Sequence, residues 1–134
     1  MNEITLTGNI GQIQEIKHGK ANGTSILSFS LGINHRERDP RTGKWGDAPT
    51  VWQQVVAFGQ LAENSYDSLQ TGTRVTVAGR LTDDSYTPRG ETRRVVRTTL
   101  RAEIIAVDLS YATVTVHKHK RPAASTTAPE VIAP

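Results

Sequence analysis

The chain has 134 residues, a formal net charge of +3 and 36% hydrophobic residues, enough for one domain with its own core and a short tail. No apolar run approaches the roughly 18 residues of a membrane span, and "MNEITLTGNI" lacks the basic start and apolar core of a signal peptide. The absence of cysteine excludes a disulfide scaffold and thiolate metal sites, and fits a reducing compartment.

Taken in chain order, the elements are written mainly in alternation. "EITLTGNI" places Ile4, Leu6, Gly8 and Ile10 on one face of a strand. "SILSFSLGIN" sets Leu27, Phe29, Leu31 and Ile33 against Ser28, Ser30 and Gly32. Over 51–58, Val51, Val55 and Ala57 oppose Trp52, Gln54, Val56 and Phe58. "GQLAENSYDSLQTG" breaks the pattern: Leu61, Ala62, Tyr66 and Leu69 recur at helical spacing, which predicts a short helix stopping at Gly72 with Tyr66 packed on the barrel. "TRVTVAGRL" sets Val75, Val77 and Leu81 against Arg74, Thr76 and Arg80. "RRVVRTTLRAEIIAVD" sets Val96, Leu100, Ala102 and Ile104 against Arg93, Val95, Arg97 and Arg101. Thr113–Val116 has the length of an added short strand, and from Pro122 "PAASTTAPEVIAP" buries too little to fold.

The fold class expected is therefore all-β: five half-buried antiparallel strands with one helix between the third and fourth, the element order of the OB-fold barrel. A generic small β-barrel fits the alternation equally well. The domain is expected over residues 1–116, and a disordered tail over 117–134.

No catalytic constellation emerges. His117 and His119 have no acidic neighbours and too few companions for a metal site. Asp83 and Asp84 suit a turn better than acid–base chemistry. Neither a Walker lysine pattern nor a dinucleotide glycine pattern is present, so no enzyme, cofactor or metal is expected. The basic residues say more. Arg93, Arg97 and Arg101 share a face at period four; Arg74 and Arg80 lie on the preceding strand; Arg36, Arg38, Arg41 and Lys44 cluster in the loop before Trp52. They share strands and loops with Trp45, Trp52, Phe58 and Tyr86, Trp45 being expected at a hairpin tip in "TGKWGDA". Cations that follow phosphates, interleaved with rings that stack on bases, are what sequence-tolerant single-strand binding requires. A solvated polar face and a core tryptophan are the plainer alternatives.

"VWQQVVAFGQLAENSYDSLQTGTRVTVAGRL" resembles the bacterial single-stranded DNA-binding protein family, through Trp52, Val55, Val56, Phe58, Gly59, Ala62, Glu63, Gly72, Val75, Val77, Gly79, Arg80 and Leu81. "ITLTGNI", "RDPRTGKW" and "SYTPRGETRR" resemble the family's first strand, second long loop and aromatic-plus-glycine hairpin, in one register over roughly 1–116. The resemblance implies an OB-fold protomer of a homotetramer that wraps single-stranded DNA, working in the cytoplasm on the nucleoid and not at a membrane. It matches Trp52 and Phe58 to stacking aromatics of the third strand, and Tyr86 to the aromatic before the last hairpin's turn.

Three features depart from that pattern. The loop tryptophan of well-studied members aligns near Glu37, with Trp45, present in actinobacterial members, further along the loop. "SYATVTV" resembles the added strand of the actinobacterial branch, which clamps a neighbouring subunit. The acidic tip that recruits replication and repair enzymes is not matched, since Glu130 is the only acid after Asp108. The chain in this respect is similar to a paralogue or phage-borne member, with reduced enzyme recruitment expected.

The expected function is sequence-independent binding and protection of single-stranded DNA in replication, recombination and repair. Trp52, Phe58, Tyr86 and Trp45 are expected to stack on bases, and Arg36, Arg38, Arg74, Arg80, Arg93, Arg97 and Arg101 to meet phosphates. The rivals are an OB-fold interaction module of the primosome-accessory kind and an oligosaccharide binder; neutral sugars give no reason for the arginines.

Overall fold

Strand β1 (Glu3–Ile13) uses two edges, which is what closes the sheet. Its first half pairs with β7 (Arg74–Asp83), from Glu3 opposite Arg80 to Asn9 opposite Arg74. Its second half pairs with β3 (Ser25–Ile33), from Asn9 opposite Gly32 to Ile13 opposite Phe29. The computed structural model describes residues 3–19 and 23–119. Strands β6 (Val51–Phe58) and β8 (Thr98–Val107) complete the ring in the order β1, β7, β8, β6, β3 and back to β1. The barrel pairings are antiparallel except β6 with β8, which run parallel with Val55 opposite Leu100. Short β2 (Lys17–His18) extends β3, and β4 (Arg36–Arg38) with β5 (Trp45–Asp47) forms a separate ribbon.

The alternation of four strands translates directly into the core. Ile10, Leu27, Phe29, Leu31, Val55, Val75 and Val77 are almost wholly enclosed, and Leu100 of β8 joins them. Helix α1 (Gly59–Ser68) rests on the barrel through Ala62 and Ser65, with Leu69 buried just beyond it. Tyr66 is 42% exposed instead of packed on the barrel. Ser65 and Tyr66 flank the same helical stripe, and the small hydroxyl side takes the inner position. The helix also stops short of Gly72: Leu69 is already extended. Gly72, at φ +94°, turns the chain so that its N–H reaches the Ile10 carbonyl at 2.7 Å and β7 can begin.

Two further expectations are corrected. The last strand starts at Thr98, not Arg93, and a β-bulge interrupts it: Ala78 faces Ile104, but Gly79 faces Ala102. Glu103 is the extra residue, so the inward series changes parity from Leu100 and Ala102 to Ile105 and Val107. Ile104 is left 61% exposed, and Val96, ahead of the strand, 78% exposed. Trp45 is not at a hairpin tip; the turn lies at residues 40–42 with Gly43 at φ +71°, and Trp45 sits on β5 opposite Arg38. Among the described residues, 113–116 have no ladder partner, and Val114 and Val116 are exposed. The expected tail lies outside the described residues from position 120 onward.

Gly79 is required by the bulge, because a Cβ there would run into the backbone carbonyl of Arg101. Gly79→Ala should therefore cost about 1–3 kcal/mol, the usual range for overpacking. Urea denaturation measures it; an unchanged midpoint would show that the bulge relaxes without strain.

Candidate nucleic-acid interface

The outward face of β6 carries Trp52, Gln54, Val56 and Phe58. Trp52 and Phe58 are six positions apart, about 20 Å along a strand. Trp52 is 61% exposed yet seated. Its six-membered ring lies over Gly32, its cross-strand partner, and over Gly11 of β1. A Cβ at Gly32 would stand 2.8 Å from Trp52 Cζ3, and the other close atoms there belong to the same ring and to the Thr50 methyl. The two glycines thus form a shelf that holds one side of the ring while much of it remains open to solvent.

At the Phe58 end an open groove of about 520 Å³ runs across β6 and β8, with Val56, Phe58, Arg97 and Arg101 along it. The Arg101 guanidinium lies over the Phe58 ring at 4.6 Å from its centroid, and Arg97 lies over Tyr86 at 5.3 Å. Arg101 is an outward residue of β8, Arg97 immediately precedes that strand, and Thr99 lies midway between them. Tyr86 is fixed by a bridge to Val95, exchanging N–H···O bonds of 2.7 and 3.0 Å. The base of this β7–β8 hairpin is tied by polar side chains. The Ser85 N–H donates to Asp83 Oδ1 at 2.8 Å, Arg94 to Asp83 Oδ2 at 3.2 Å, and the Arg97 N–H to Ser85 Oγ at 3.1 Å. The hydrogen bonds from Ser85, and then the Arg94 charge, hold the Asp83 carboxyl below the ordinary carboxylate range. Its tie is thus in place at neutral pH and is lost as pH falls through that lowered value.

The remaining expected cations are placed differently. Arg74 donates to Asp108 at 2.8 Å, and Arg80 pairs with Glu103 at 3.1 Å; neither lines the groove. Hydrogen bonds from Ser110, with Arg74 behind them, likewise lower the Asp108 carboxyl. Arg93 lies in the hairpin loop, 3.8 Å from Glu91, and so does not share the strand face of Arg97 and Arg101. On the β4–β5 ribbon, cross-strand pairing puts Arg38 beside Trp45 and Arg36 beside Asp47, and Arg36 reaches the Trp45 carbonyl at 3.5 Å. The ribbon thus presents an exposed ring and a cation on one face.

The polar groove residues Gln14, Ser28, Thr82, Asp84 and Thr99 were not among the expected site residues. Their outward parity was available on β3, β7 and β8, but a serine or threonine on a wet strand face carries no signal of its own. Asp84 resembles a turn residue until the hairpin that contains it is paired. No described helix is long and apolar enough to cross a membrane.

Residues 1–110 match the Single-strand binding protein family. The single-stranded DNA-binding protein of Paenarthrobacter aurescens is 33% identical over 119 residues, covering 88% of this chain and 68% of that one. That of Mycobacterium bovis is 33% identical, covering 88% and 71%. Among solved structures, the small single-stranded DNA-binding protein from Streptomyces coelicolor superposes with a TM-score of 0.67 at 29% identity, over 82% of this chain and 96% of its own. The Plasmodium falciparum SSB complex with ssDNA, at 24% identity and a TM-score of 0.66, shares the fold. With residues 1–110 matched by the family and the barrel reproduced, the chain belongs to the single-strand binding protein family.

Proposed function

We propose that this chain binds single-stranded DNA without strict sequence preference, as a non-enzymatic coat used in replication, recombination and repair. The observation that carries the reading is the continuous outward face of β6 and β8. There a shelved, exposed tryptophan leads along one strand to two aromatic–arginine pairs. Rings supply stacking surface that every base can use, and a guanidinium plane is itself a stacking surface. The strand runs in this reading from Trp52 past Gln54 to Phe58, Arg101, Arg97 and Tyr86, with the Trp45–Arg38 ribbon face as a second contact. The family relatives that bear the name single-stranded DNA-binding protein support it. A working location on the nucleoid follows from the ligand.

The same reading takes the chain as a homotetramer. Tyr111, Val114 and Val116 are exposed apolar side chains on a segment with no ladder partner among the described residues, the condition of a strand that pairs across subunits. Light scattering at micromolar concentration should give four times the chain mass of 14.6 kDa. A monomer would refute the assembly and leave the groove unaffected.

Stacking is tested by truncation. Trp52→Ala and Phe58→Ala should each weaken oligo-dT binding by about 1–3 kcal/mol, measured by fluorescence anisotropy of a labelled oligonucleotide. Unchanged affinity in the double variant would remove these rings from the site.

The arginines should separate into two groups in a salt titration. Arg97 and Arg101 rest on rings and have no carboxylate partner among the described residues, so they are available to phosphates. Arg74 and Arg80 must first leave Asp108 and Glu103. Removing one phosphate-binding cation lowers the slope of log affinity against log salt by about 0.7 for a single strand. Arg97→Ala and Arg101→Ala should show that decrement and Arg74→Ala should not; equal slopes for all three would contradict the ranking.

A further inference from the structure

The groove contains a charge of the wrong sign for its ligand. Asp84 lies on its lining between two cation-bearing strands, and among the described residues it forms no ion pair. A carboxylate facing a polyanion opposes binding unless it meets a hydrogen-bond donor instead of a phosphate. Its position is fixed. The Thr99 hydroxyl donates to Asp84 Oδ2 at 2.5 Å, and the Asp84 N–H donates to the Arg97 carbonyl at 2.8 Å. Thr99 is itself 6% exposed and opposite Gln54 across the parallel ladder. Oδ1 of Asp84 has no partner among the described residues, and neither have the side chains of Gln14, Ser28 and Gln54, which line the same groove. A polar floor with free acceptors and donors therefore lies between the stacking pairs Arg101–Phe58 and Arg97–Tyr86.

We propose that Asp84, aimed by Thr99, reads the edge of the base held in this groove and favours a base with an exocyclic amine over thymine. The inference rests on the single-strand-binding reading. Unstacked bases present their Watson–Crick edges to a protein. Cytosine offers its N4 amine to a carboxylate, the pairing that acidic side chains make with this base. Thymine flanks its one N–H with two carbonyl oxygens, which repel Oδ1. Preference at one subsite is compatible with broad binding, because the stacking contacts along the rest of the path do not discriminate.

The test is a pair of titrations at neutral pH with oligo-dC and oligo-dT of equal length, on the full chain and on Asp84→Asn. Asparagine keeps an acceptor for Thr99, so the hairpin remains tied. The ratio of dC to dT affinity should fall on the order of fivefold in Asp84→Asn, with affinity for oligo-dT rising because a negative charge has left the groove. Thr99→Val, which releases the carboxylate without removing it, should lower the same ratio. A ratio unaltered in both variants, or equal losses on both oligonucleotides, would overturn the proposal and reduce Asp84 to a structural tie. If the unaltered chain binds neither oligonucleotide, the single-strand-binding reading fails as well, a result distinct from binding without discrimination.

Discussion

The double pairing of β1 is the constraint on which the rest depends. One strand of eleven residues meets β7 with its first half and β3 with its second, and the sheet has no free edge left at the seam. Closure forces each barrel strand to have one inner and one outer face. The inner faces fill a single core around Phe29, Leu31 and Leu100. Close backbone approach is part of the same geometry: Gly8 lies against the Gly32 carbonyl where β1 crosses β3, and Gly79 against Arg101 where β8 bulges. Larger side chains at these places would hold the strands apart.

What remains outside the closed barrel is the surface we propose for DNA, and the fold sorts its cations by what neutralises them. Arg74 and Arg80, on β7, have carboxylate partners and serve the barrel's own exterior. Arg101 on β8, and Arg97 just ahead of it, lie over rings and retain their full charge. The parallel register of β6 with β8 accounts for the second arrangement: Val56 opposite Arg101 brings the guanidinium within reach of Phe58 two positions on. The topology that crosses from β6 through the helix and β7 before returning as β8 thus brings the ring of Phe58 and the cation of Arg101 into one stack.

Much of this was legible in the sequence. Alternation identified the inner and outer faces of β1, β3, β6 and β7, because a half-buried strand has to repeat with period two. It also put Trp52 and Phe58 on one open face. It failed on β8, where one bulged residue, Glu103, reverses the parity of everything after it, and a bulge is set by the partner strand. It failed on Tyr66, because two adjacent helix positions compete for one inner stripe and the fit to the barrel decides. The pairs Arg74–Asp108 and Arg80–Glu103 join residues 34 and 23 positions apart, so nothing local distinguished those arginines from Arg97. The glycine shelf under Trp52 was hidden for the same reason: Gly11, Gly32 and Trp52 meet only across three strands.

The central claim is that Trp52 faces bases. The most direct measurement is intrinsic fluorescence of a Trp45→Phe variant, which leaves Trp52 as the chain's single tryptophan, titrated with oligo-dT of increasing length at low and at high salt. The account predicts quenching that grows with length and persists in part at high salt, since stacking is far less screened than phosphate contact. Fluorescence unaffected by saturating DNA, or a signal abolished by modest salt, would mean that the ring faces protein and that the path of the strand lies elsewhere.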